Sequence, residues 1–303
     1  MPINLIAIKF TLIFFALCRV AFALGRATMA AGRAAKILCG LPGGDRDQQS
    51  EAAISDNQRN AVAAGPAISA VPFHETADGR AVALLNERER GLLARIAMRV
   101  HFRRGATIYR EGDPADFVYN IAAGVVKAFR TLTDGRQRIV AFLFAEDLIG
   151  LAEEGVYVNQ AEAVTAVTAY RIPLRALDNL ARTDPTLDYS LLLKLTHELR
   201  AAQCHALILA RHDAVGRIAM FIAMLQRLQQ ERGVNGDEIR LPMSRSDIAD
   251  YVGMPLSTVS RSFRSLIAGN IVRFTDRRHL RIIDRARFEE LLSQPARGRE
   301  AEP

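Results

Sequence analysis

Apolar and polar positions change their spacing along the chain, and each spacing predicts a different kind of element. Between residues 104 and 172, short apolar runs alternate with turns such as Glu111-Gly112-Asp113-Pro114 and Asp134-Gly135. Many short strands joined by glycine-bearing turns are typical of an antiparallel barrel or jelly roll. We predict strands over residues 107–109, 117–121, 125–130, 139–144, 163–167 and 169–172.

Helical spacing precedes and follows this strand-rich part. Upstream, Asn86 and Glu89 stand in the Asn-x-x-Glu arrangement of a capping box, inside a pattern that predicts one or two short helices between residues 82 and 98. Downstream, Asp184 and Pro185 mark the start of a long helix, which we place with its flanks at residues 183–213.

The long helix carries an apolar stripe with strict 3-4-3-4-3 spacing, the seam of a two-stranded coiled coil. The stripe consists of Leu192, Leu195, Leu199, Ala202, Ala206 and Leu209. A second apolar face is formed by Leu191, Leu193, Leu207 and Ile208. The alternative is a helix packed only on its own barrel. Because there are two faces, one can pack on the barrel while the other meets a partner, and we predict a homodimer.

Near the end of the chain, two short amphipathic helices separated by a glycine turn precede an arginine-rich hairpin. The segment from Leu241 to Arg281 reads LPMSRSDIADYVGMPLSTVSRSFRSLIAGNIVRFTDRRHLR. The first helix starts near Ser244, and its apolar face consists of Ile248, Ala249 and Val252. Gly253 then gives a turn, and the second helix begins around Pro255. The apolar face of the second helix consists of Val259, Phe263, Leu266 and Ile267. This is the pattern of a winged helix-turn-helix, which binds DNA.

The polar side of the second helix suits base recognition. Its candidate base readers are Ser257, Thr258, Ser260 and Arg261. An arginine can bond both N7 and O6 of guanine, whereas a hydroxyl can serve any base, so Arg261 is the principal candidate. The candidate phosphate contacts are Ser244, Arg245, Arg264, Arg277 and Arg278.

The charge of this segment argues against a merely solvated helix face. Residues 240–287 contain ten Arg and four Asp, so the segment carries +6 of the formal net charge of +7. A field of this strength attracts the phosphate backbone of nucleic acid. We therefore predict double-stranded DNA as the partner of this segment.

Few other residues in the sequence suggest a disulfide, metal or catalytic site. The three cysteines are Cys18, Cys39 and Cys204, with no CxxC spacing, which predicts neither a disulfide framework nor a cysteine metal site and fits a reducing, cytoplasmic compartment. A jelly-roll metal enzyme needs two or three His, and His101 is the only one between residues 101 and 174. We predict no catalytic site and no metal site. His205 and His212 are read as solvated surface flanking the seam, with a metal or haem role as the alternative.

The first 40 residues differ from the rest. Residues 3–24 are almost all apolar but are interrupted by Lys9 and Arg19, and the longest clean stretch, 10–18, is too short to span a bilayer. A membrane tether is one interpretation. A signal-like segment is another, but a secreted DNA-binding protein would have no target. We favour a third interpretation, a dispensable extension or sequence upstream of the true start codon, because Arg19 breaks the apolar run. Residues 41–80 have no sustained period and are read as a disordered linker.

The order of barrel, long helix and winged helix-turn-helix resembles the Crp/Fnr family of bacterial transcription regulators. The barrel stretch RRGATIYREGDPADFVYNIAAGVVKAFRTLTDGRQRIVAFLFAEDLIGL looks like the family's sensory roll. LPMSRSDIADYVGMPLSTVSR is most similar to the Fnr and FixK branch, which ends this stretch in T-V-S-R or T-I-S-R. The resemblance covers about two hundred residues.

The resemblance implies an inverted repeat with TTG-like half-sites as the DNA target. In that branch, Glu, Ser and Arg form an E-x-x-S-R reading set. Ser260 and Arg261 match it, but Ser257 stands where the Glu would be. Arg261 is expected to retain its specificity for guanine. At the base that Glu contacts in that branch, the specificity is expected to be lower.

The residues that bind the family's known ligands do not occur at the matching positions of this sequence. Its iron–sulfur members use cysteines ahead of and within the roll, and this chain has none between Cys39 and Cys204. Its cyclic-nucleotide binders need a Glu after the Gly of the phosphate turn and an Arg-Ser pair further on. Here Gly150 is followed by Leu-Ala-Glu-Glu, and no Arg occurs up to residue 165. We predict no cofactor, as in FixK-type members; haem or another small ligand remains the alternative.

The predicted fold class is α+β. The predicted parts are the extension (1–40), the linker (41–80), an antiparallel β-roll (81–182), the dimerisation helix (183–213), the winged helix-turn-helix (214–293) and a tail (294–303). We expect a homodimeric activator with RNA polymerase as its protein partner and no membrane partner.

Overall fold

The computed structural model describes residues 72–75, 81–83, 85–152, 155–232 and 237–293. The predicted N-terminal extension, the predicted tail, and Glu153 and Glu154 lie outside the described residues. Within the described ranges, none of the helices combines the length and apolarity that a bilayer crossing requires.

Two short strands and a helix come first. Strand β1 (Pro72–Glu75) pairs antiparallel with β2 (Ala81–Ala83), so the structure places a strand inside the predicted linker. Composition gives no signal for this pairing, which depends on two segments meeting. Helix α1 (Glu87–Ile96) has the predicted capping box, in which Asn86 Oδ1 accepts from Glu89 N and Glu89 Oε2 accepts from Asn86 N, each at 2.9 Å.

The β-roll consists of two four-stranded antiparallel sheets. The strands are β3 (Met98–Phe102), β4 (Thr107–Tyr109), β5 (Phe117–Ala123), β6 (Val126–Thr131), β7 (Gln137–Leu143), β8 (Leu148–Ile149), β9 (Gln160–Ala163) and β10 (Val167–Pro173). One sheet has the order β3-β10-β5-β8 and the other β4-β9-β6-β7. Their inner faces share one apolar core, which includes Tyr119, Ile121 and Val126. The predicted antiparallel roll is therefore confirmed.

One predicted strand is wrong. The chain pairs over Gln160–Ala163, whereas the sequence predicts residues 163–167. The amides of Val164 and Thr165 both donate to Val125 O and not to a sheet neighbour, so the ladder ends there. The adjoining turn needs Gly124, because its φ is +98° and a Cβ would lie 2.3 Å from Ala166 O.

Three helices link the roll to the C-terminal unit. They are α2 (Leu174–Thr183), α3 (Pro185–Ala210) and α4 (Ala214–Glu231). Asp184 caps α3 by accepting from the amides of Thr186 and Leu187, with Pro185 in the first turn. The long helix therefore starts where the sequence predicts.

The C-terminal unit, which we call the reader domain, packs helices on a small sheet. Its elements after α4 are β11 (Glu238–Arg240), α5 (Arg245–Val252), α6 (Leu256–Ala268), β12 (Val272–Phe274), β13 (His279–Ile282) and α7 (Arg285–Ser293), with sheet order β11-β13-β12. Three of the four apolar residues predicted for the α6 core are buried, but Ile267 is 44% exposed. Ser262 is buried instead of Ile267, and its hydroxyl satisfies its hydrogen-bonding capacity by donating to Thr258 O.

Candidate nucleic-acid interface

Helices α5 and α6 form a helix-turn-helix with well-defined ends. Ser244 and Asp247 build a reciprocal capping box at the start of α5, with Ser244 Oγ accepting from Asp247 N at 3.0 Å. At the other end, Gly253 adopts the left-handed conformation, with φ of +66°, and lets the chain turn into α6. Pro255 caps α6 and does not occupy its first turn.

One face of α6 presents polar side chains away from the buried face. Ser257, Arg261 and Arg264 are exposed and Ser260 is half-buried. At about 100° per residue, these four fall within one arc of about 100° on the helix, opposite Val259, Phe263 and Leu266. Thr258 lies about 60° outside this arc and is half-buried. The structure thus brings four of the five predicted residues together.

The two arginines of this face make no ion pair among the described residues. Arg261 Nε donates only to Ser257 O, at 3.4 Å, and Arg264 Nε to Ser260 O, at 3.5 Å. Both bonds are long and lie on the surface of their own helix, so they cost little to release. Both guanidinium groups are therefore available to a nucleic acid.

Ser244 and Arg245, both predicted phosphate contacts, are held by local interactions. Ser244 Oγ donates to Asp247 Oδ2 at 2.6 Å, which leaves the hydroxyl no proton for a phosphate in this arrangement. The Arg245 guanidinium carbon lies 3.5 Å from the ring centroid of Phe263 and 4.8 Å from that of Phe274. Its Nη1 has no hydrogen-bond partner among the described residues, and burial lowers the pKa of Arg245 to about 10.

The wing is the hairpin of β12 and β13. Asp276 orders its turn by accepting from the amides of Arg278 and His279, at 2.6 and 2.8 Å, and these bonds hold the pKa of Asp276 below its usual value. Arg277 and Arg278 are exposed at the tip. An ordered turn that carries two exposed arginines without an ion-pair partner in the described part of the chain suits contact with phosphates.

The reader domain docks on the β-roll through contacts that the sequence pattern does not reveal. Lys127 Nζ of β6 lies 2.9 Å from Asp247 Oδ1 and 3.2 Å from Glu162 Oε1. Burial opposes protonation of Lys127, but its bonds to the two carboxylates outweigh it and raise the pKa of the amine. The sequence identifies Asp247 as a residue at the start of a helix. It contains no local signal for an ion pair with a lysine 120 positions upstream.

His205 faces the reader domain, so its predicted position as solvated surface flanking the seam is wrong. Its ring stacks on Tyr251 with centroids 3.8 Å apart and 7° between the planes. Tyr251 also packs on Phe142 of β7 and Phe221 of α4. His212, in contrast, is exposed. Burial of an apolar ring stack explains why a histidine turns inward here.

The six residues predicted as the dimer seam form a stripe on α3 that the fold leaves half-buried in its first half and exposed in its second. None of Leu192, Leu195, Leu199, Ala202, Ala206 and Leu209 is buried. The buried residues of α3 are Leu187, Ser190, Lys194, Cys204, His205 and Ile208. The second apolar face is only partly as predicted: Ile208 is buried and Leu191 packs on a core cluster, but polar side chains complete the inner face.

A buried charge network joins α3 and α4 to the roll. Asp147 accepts from Lys194 Nζ at 3.0 Å and from Arg232 Nη2 at 3.2 Å. Burial opposes ionisation of Asp147, but the two cations outweigh it and lower its pKa. Glu198 lies 3.5 Å from Lys194 with 36% of its side chain exposed, and its partial desolvation raises its pKa to about 7. The network forms the polar end of a cavity of about 340 Å³ whose other walls include Phe142, Cys204 and Met224.

The interior of the roll beside Gly150 is occupied by aromatic side chains. Tyr109 and Tyr157 stack with ring centroids 3.9 Å apart, and Tyr119 lies 6.1 Å from Tyr109. Tyr157 Oη donates to Phe117 O at 2.7 Å. Burial raises the pKa of Tyr157 to about 12, so its hydroxyl stays protonated. Among the described residues, no cluster of His, Cys, Asp and Glu has the geometry of a metal site.

Comparison with known proteins finds two domain families and several relatives. Residues 99–184 match the cyclic nucleotide-binding domain, and residues 216–291 match the Crp-like helix-turn-helix domain. The nitrogen fixation regulation protein FixK of Bradyrhizobium diazoefficiens is 34% identical over 172 residues, which are 56% of this chain and 72% of that protein. FixK of Rhizobium meliloti is 35% identical over 182 residues, which are 60% of this chain and 81% of that protein.

Two further comparisons agree. The transcriptional activator protein FnrA of Stutzerimonas stutzeri is 30% identical over 184 residues, which are 60% of this chain and 75% of that protein. The structure of FixK2 from Bradyrhizobium japonicum superimposes with a TM-score of 0.60 and 33% sequence identity, covering 65% of this chain and 97% of that one.

Proposed function

We propose that this protein, which belongs to the Crp/Fnr family of DNA-binding transcription regulators, binds an inverted TTG-type repeat as a homodimer without iron–sulfur cluster or cyclic nucleotide. Family membership makes it a regulator and not an enzyme. The observation that carries the proposal is the exposed face of α6, on which Arg261 stands between Ser257 and Arg264 with no competing carboxylate partner among the described residues.

The apolar stripe of α3 supports the homodimer. Six apolar residues with coiled-coil spacing stay partly or fully exposed on this helix, although Leu209 also lies beside Gly253 and Ala202 also lines the cavity between the roll, α3 and α4. A two-fold axis along this stripe would place the two copies of α6 about one helical turn of DNA apart, so that they can enter successive major grooves. The dimer and the inverted repeat therefore belong to one proposal.

The roll interior supports the absence of a cyclic nucleotide. The rings of Tyr157 and Tyr109 pack against Gly150, the glycine that corresponds to the family's phosphate turn: a Cβ at Gly150 would lie 3.1 Å from Tyr157 Cε1. A bound nucleotide would have to displace this stack and the hydrogen bond of Tyr157 to Phe117 O. Each loss costs free energy that a ligand must supply.

The proposal is tested with effector-free full-length protein. Selection from a randomised DNA library is expected to return an inverted repeat with a guanine in each half-site, and sedimentation at low micromolar concentration is expected to show a dimer. A selection that returns no repeat rules out the proposed site. A monomer that dimerises only with an added small molecule rules out ligand independence.

A second candidate, a small-ligand-gated regulator of the same fold, is favoured by the 340 Å³ cavity between β7, α3 and α4. This volume is at the lower end of the range for small-molecule sites. Native mass spectrometry and an absorption spectrum of protein purified from its host distinguish the two candidates. A mass larger than that of the polypeptide alone, or a haem absorption band, favours the gated regulator.

As a DNA-binding regulator, the protein is expected in the cytoplasm with RNA polymerase as its partner.

A further inference from the structure

A cationic cleft lies where the β-roll meets the reader domain. Its volume is about 210 Å³. It is lined by Arg104 in the turn between β3 and β4, by residues 241–245, and by Arg277 and Arg278 at the tip of the wing. Four arginine residues thus line one small space, and none of the described residues lining it is acidic. Such a cleft suits an anion with several acceptor oxygens.

Arg245 gives the cleft a positive charge for which the described residues supply no ion pair. Its guanidinium group lies against the rings of Phe263 and Phe274, which contact the cation without supplying a counter-ion. Its Nη1 has no hydrogen-bond partner among the described residues. A buried, unpaired donor destabilises the folded protein, more so when it is charged, and an anion in the cleft would offset this cost.

Resting on the proposed function, we propose that the cleft binds a DNA backbone phosphate and that Arg104 makes the β-roll part of the DNA-binding surface. The cleft adjoins the start of α5 and the wing, the parts of the reader domain that flank its reading helix. Phosphodiester oxygens accept from several guanidinium groups at once. A DNA strand that runs along the wing therefore meets a site formed by two domains.

The site exists only while the reader domain is docked. Arg104 comes from the roll, and the other three arginines come from the reader domain. The two are held together by the Lys127–Asp247 ion pair and by the packing of Tyr251 on Phe142. Loss of docking is therefore expected to remove the contribution of Arg104. DNA binding should stabilise the docked arrangement in return.

The test compares two neighbouring arginines in full-length protein. Arg103 is exposed in the same turn but does not line the cleft, so Arg103→Ala is the matched control for Arg104→Ala. For Arg104→Ala, the slope of log affinity against log salt is expected to flatten by about one unit per protomer, because each phosphate contact contributes about 0.9. Arg103→Ala is expected to change the slope by much less, and Arg104→Lys to retain most of it.

A second measurement locates the phosphate. A series of DNA duplexes is prepared, each with a single uncharged methylphosphonate at a different position. In each half-site, the substitution at one position is expected to weaken the binding of the wild type but not that of Arg104→Ala. In a Lys127→Met background, which loosens docking, Arg104→Ala is expected to have little further effect.

The outcomes separate the two proposals. If the wild type binds its repeat and Arg104→Ala matches Arg103→Ala in slope and methylphosphonate profile, the cleft site is wrong while the proposed function stands. Equal slope losses in both variants also overturn it, because they indicate a diffuse field and not a built site. If the wild type binds no repeat, the proposed function itself fails.

Discussion

The imidazole of His205 lies flat on the ring of Tyr251, and its Nε2 is 2.8 Å from Tyr251 O. This contact joins the long helix α3 to the first helix of the helix-turn-helix. One side chain therefore both stacks on and hydrogen-bonds to the element that orients the reading helix.

The contact predicts a pH dependence of stability. Burial lowers the pKa of His205, although bonds to the Tyr251 and Val140 carbonyls oppose this. Below about pH 6.5, the unfolded chain therefore takes up a proton that the folded protein resists. The free energy of unfolding is expected to fall as pH drops through this value, by at most about 1.4 kcal/mol per pH unit from this group.

Chemical denaturation between pH 7.5 and 5 checks this. His205→Gln is expected to flatten the pH dependence relative to the wild type, whereas His212→Gln, at an exposed histidine, is expected to leave it unchanged. Comparing variants with wild type removes the opposite contribution of Glu198, whose pKa is raised to about 7. Parallel curves for all three proteins would contradict the assignment.

Arg261 and Arg264 are expected to differ although both are exposed on α6. Arg261→Ala should abolish specific binding while the dimer persists, since a bidentate guanine contact contributes about 1–3 kcal/mol per half-site. Arg264→Ala should weaken all sequences alike. Gel-shift titrations on the repeat and on a scrambled duplex measure both effects. An unchanged ratio of specific to non-specific affinity in Arg261→Ala would exclude it as a base reader.

With Ser257 in place of the Glu of the Fnr and FixK branch, the protein is expected to distinguish bases less strictly inside the half-site. Ser257→Glu should sharpen the preference, because a carboxylate accepts from cytosine N4 whereas a hydroxyl both donates and accepts. Randomised-site selection with both proteins tests this. The same motif from both would show that position 257 does not read bases.

The wing should contribute affinity without specificity. Replacing both Arg277 and Arg278 by Ala is expected to weaken every sequence and to flatten the salt slope by up to about two units per wing. Arg285→Ala, at an exposed arginine paired with Glu289, serves as the control. A loss confined to the specific site would contradict a phosphate role.

The apolar stripe of α3 should hold the dimer. Ala202→Asp is expected to shift the protein to monomer, because it places two carboxylates opposite each other in a partly desolvated interface. Thr196→Asp adds the same charge on an exposed position of α3 outside the stripe. Sedimentation velocity of the three proteins measures the effect. A dimer that survives Ala202→Asp would place the interface elsewhere.

Local patterns predicted the elements whose signals are local. The capping box of Asn86 and Glu89, the turn at Gly253 and the polar face around Arg261 follow from residues within a few positions of each other. The prediction for Ile267 was wrong because Ser262 and Ile267 flank the same buried row on opposite sides, and helical spacing alone does not decide which side is covered. Ser262 is the one covered, and its hydroxyl donates to Thr258 O.

Contacts between distant segments could not be predicted this way. The pairing of β1 with β2, the stack of His205 on Tyr251, and the approach of Lys127 to Asp247 each depend on where the folded domains meet. An isolated histidine or lysine carries no sign of its distant neighbour. The candidate site was therefore predictable on α6, and its dependence on the roll was not.

Asp247 uses one oxygen to cap its own helix and the other to bind Lys127 of the roll. This dual use limits how freely the two domains can be exchanged between relatives. A chimera that joins this reader domain to another roll keeps its helix start but loses its anchor unless the donor roll supplies a cation at the same strand position. Recombination within such a protein is therefore expected to succeed when residues 127 and 247 are inherited together.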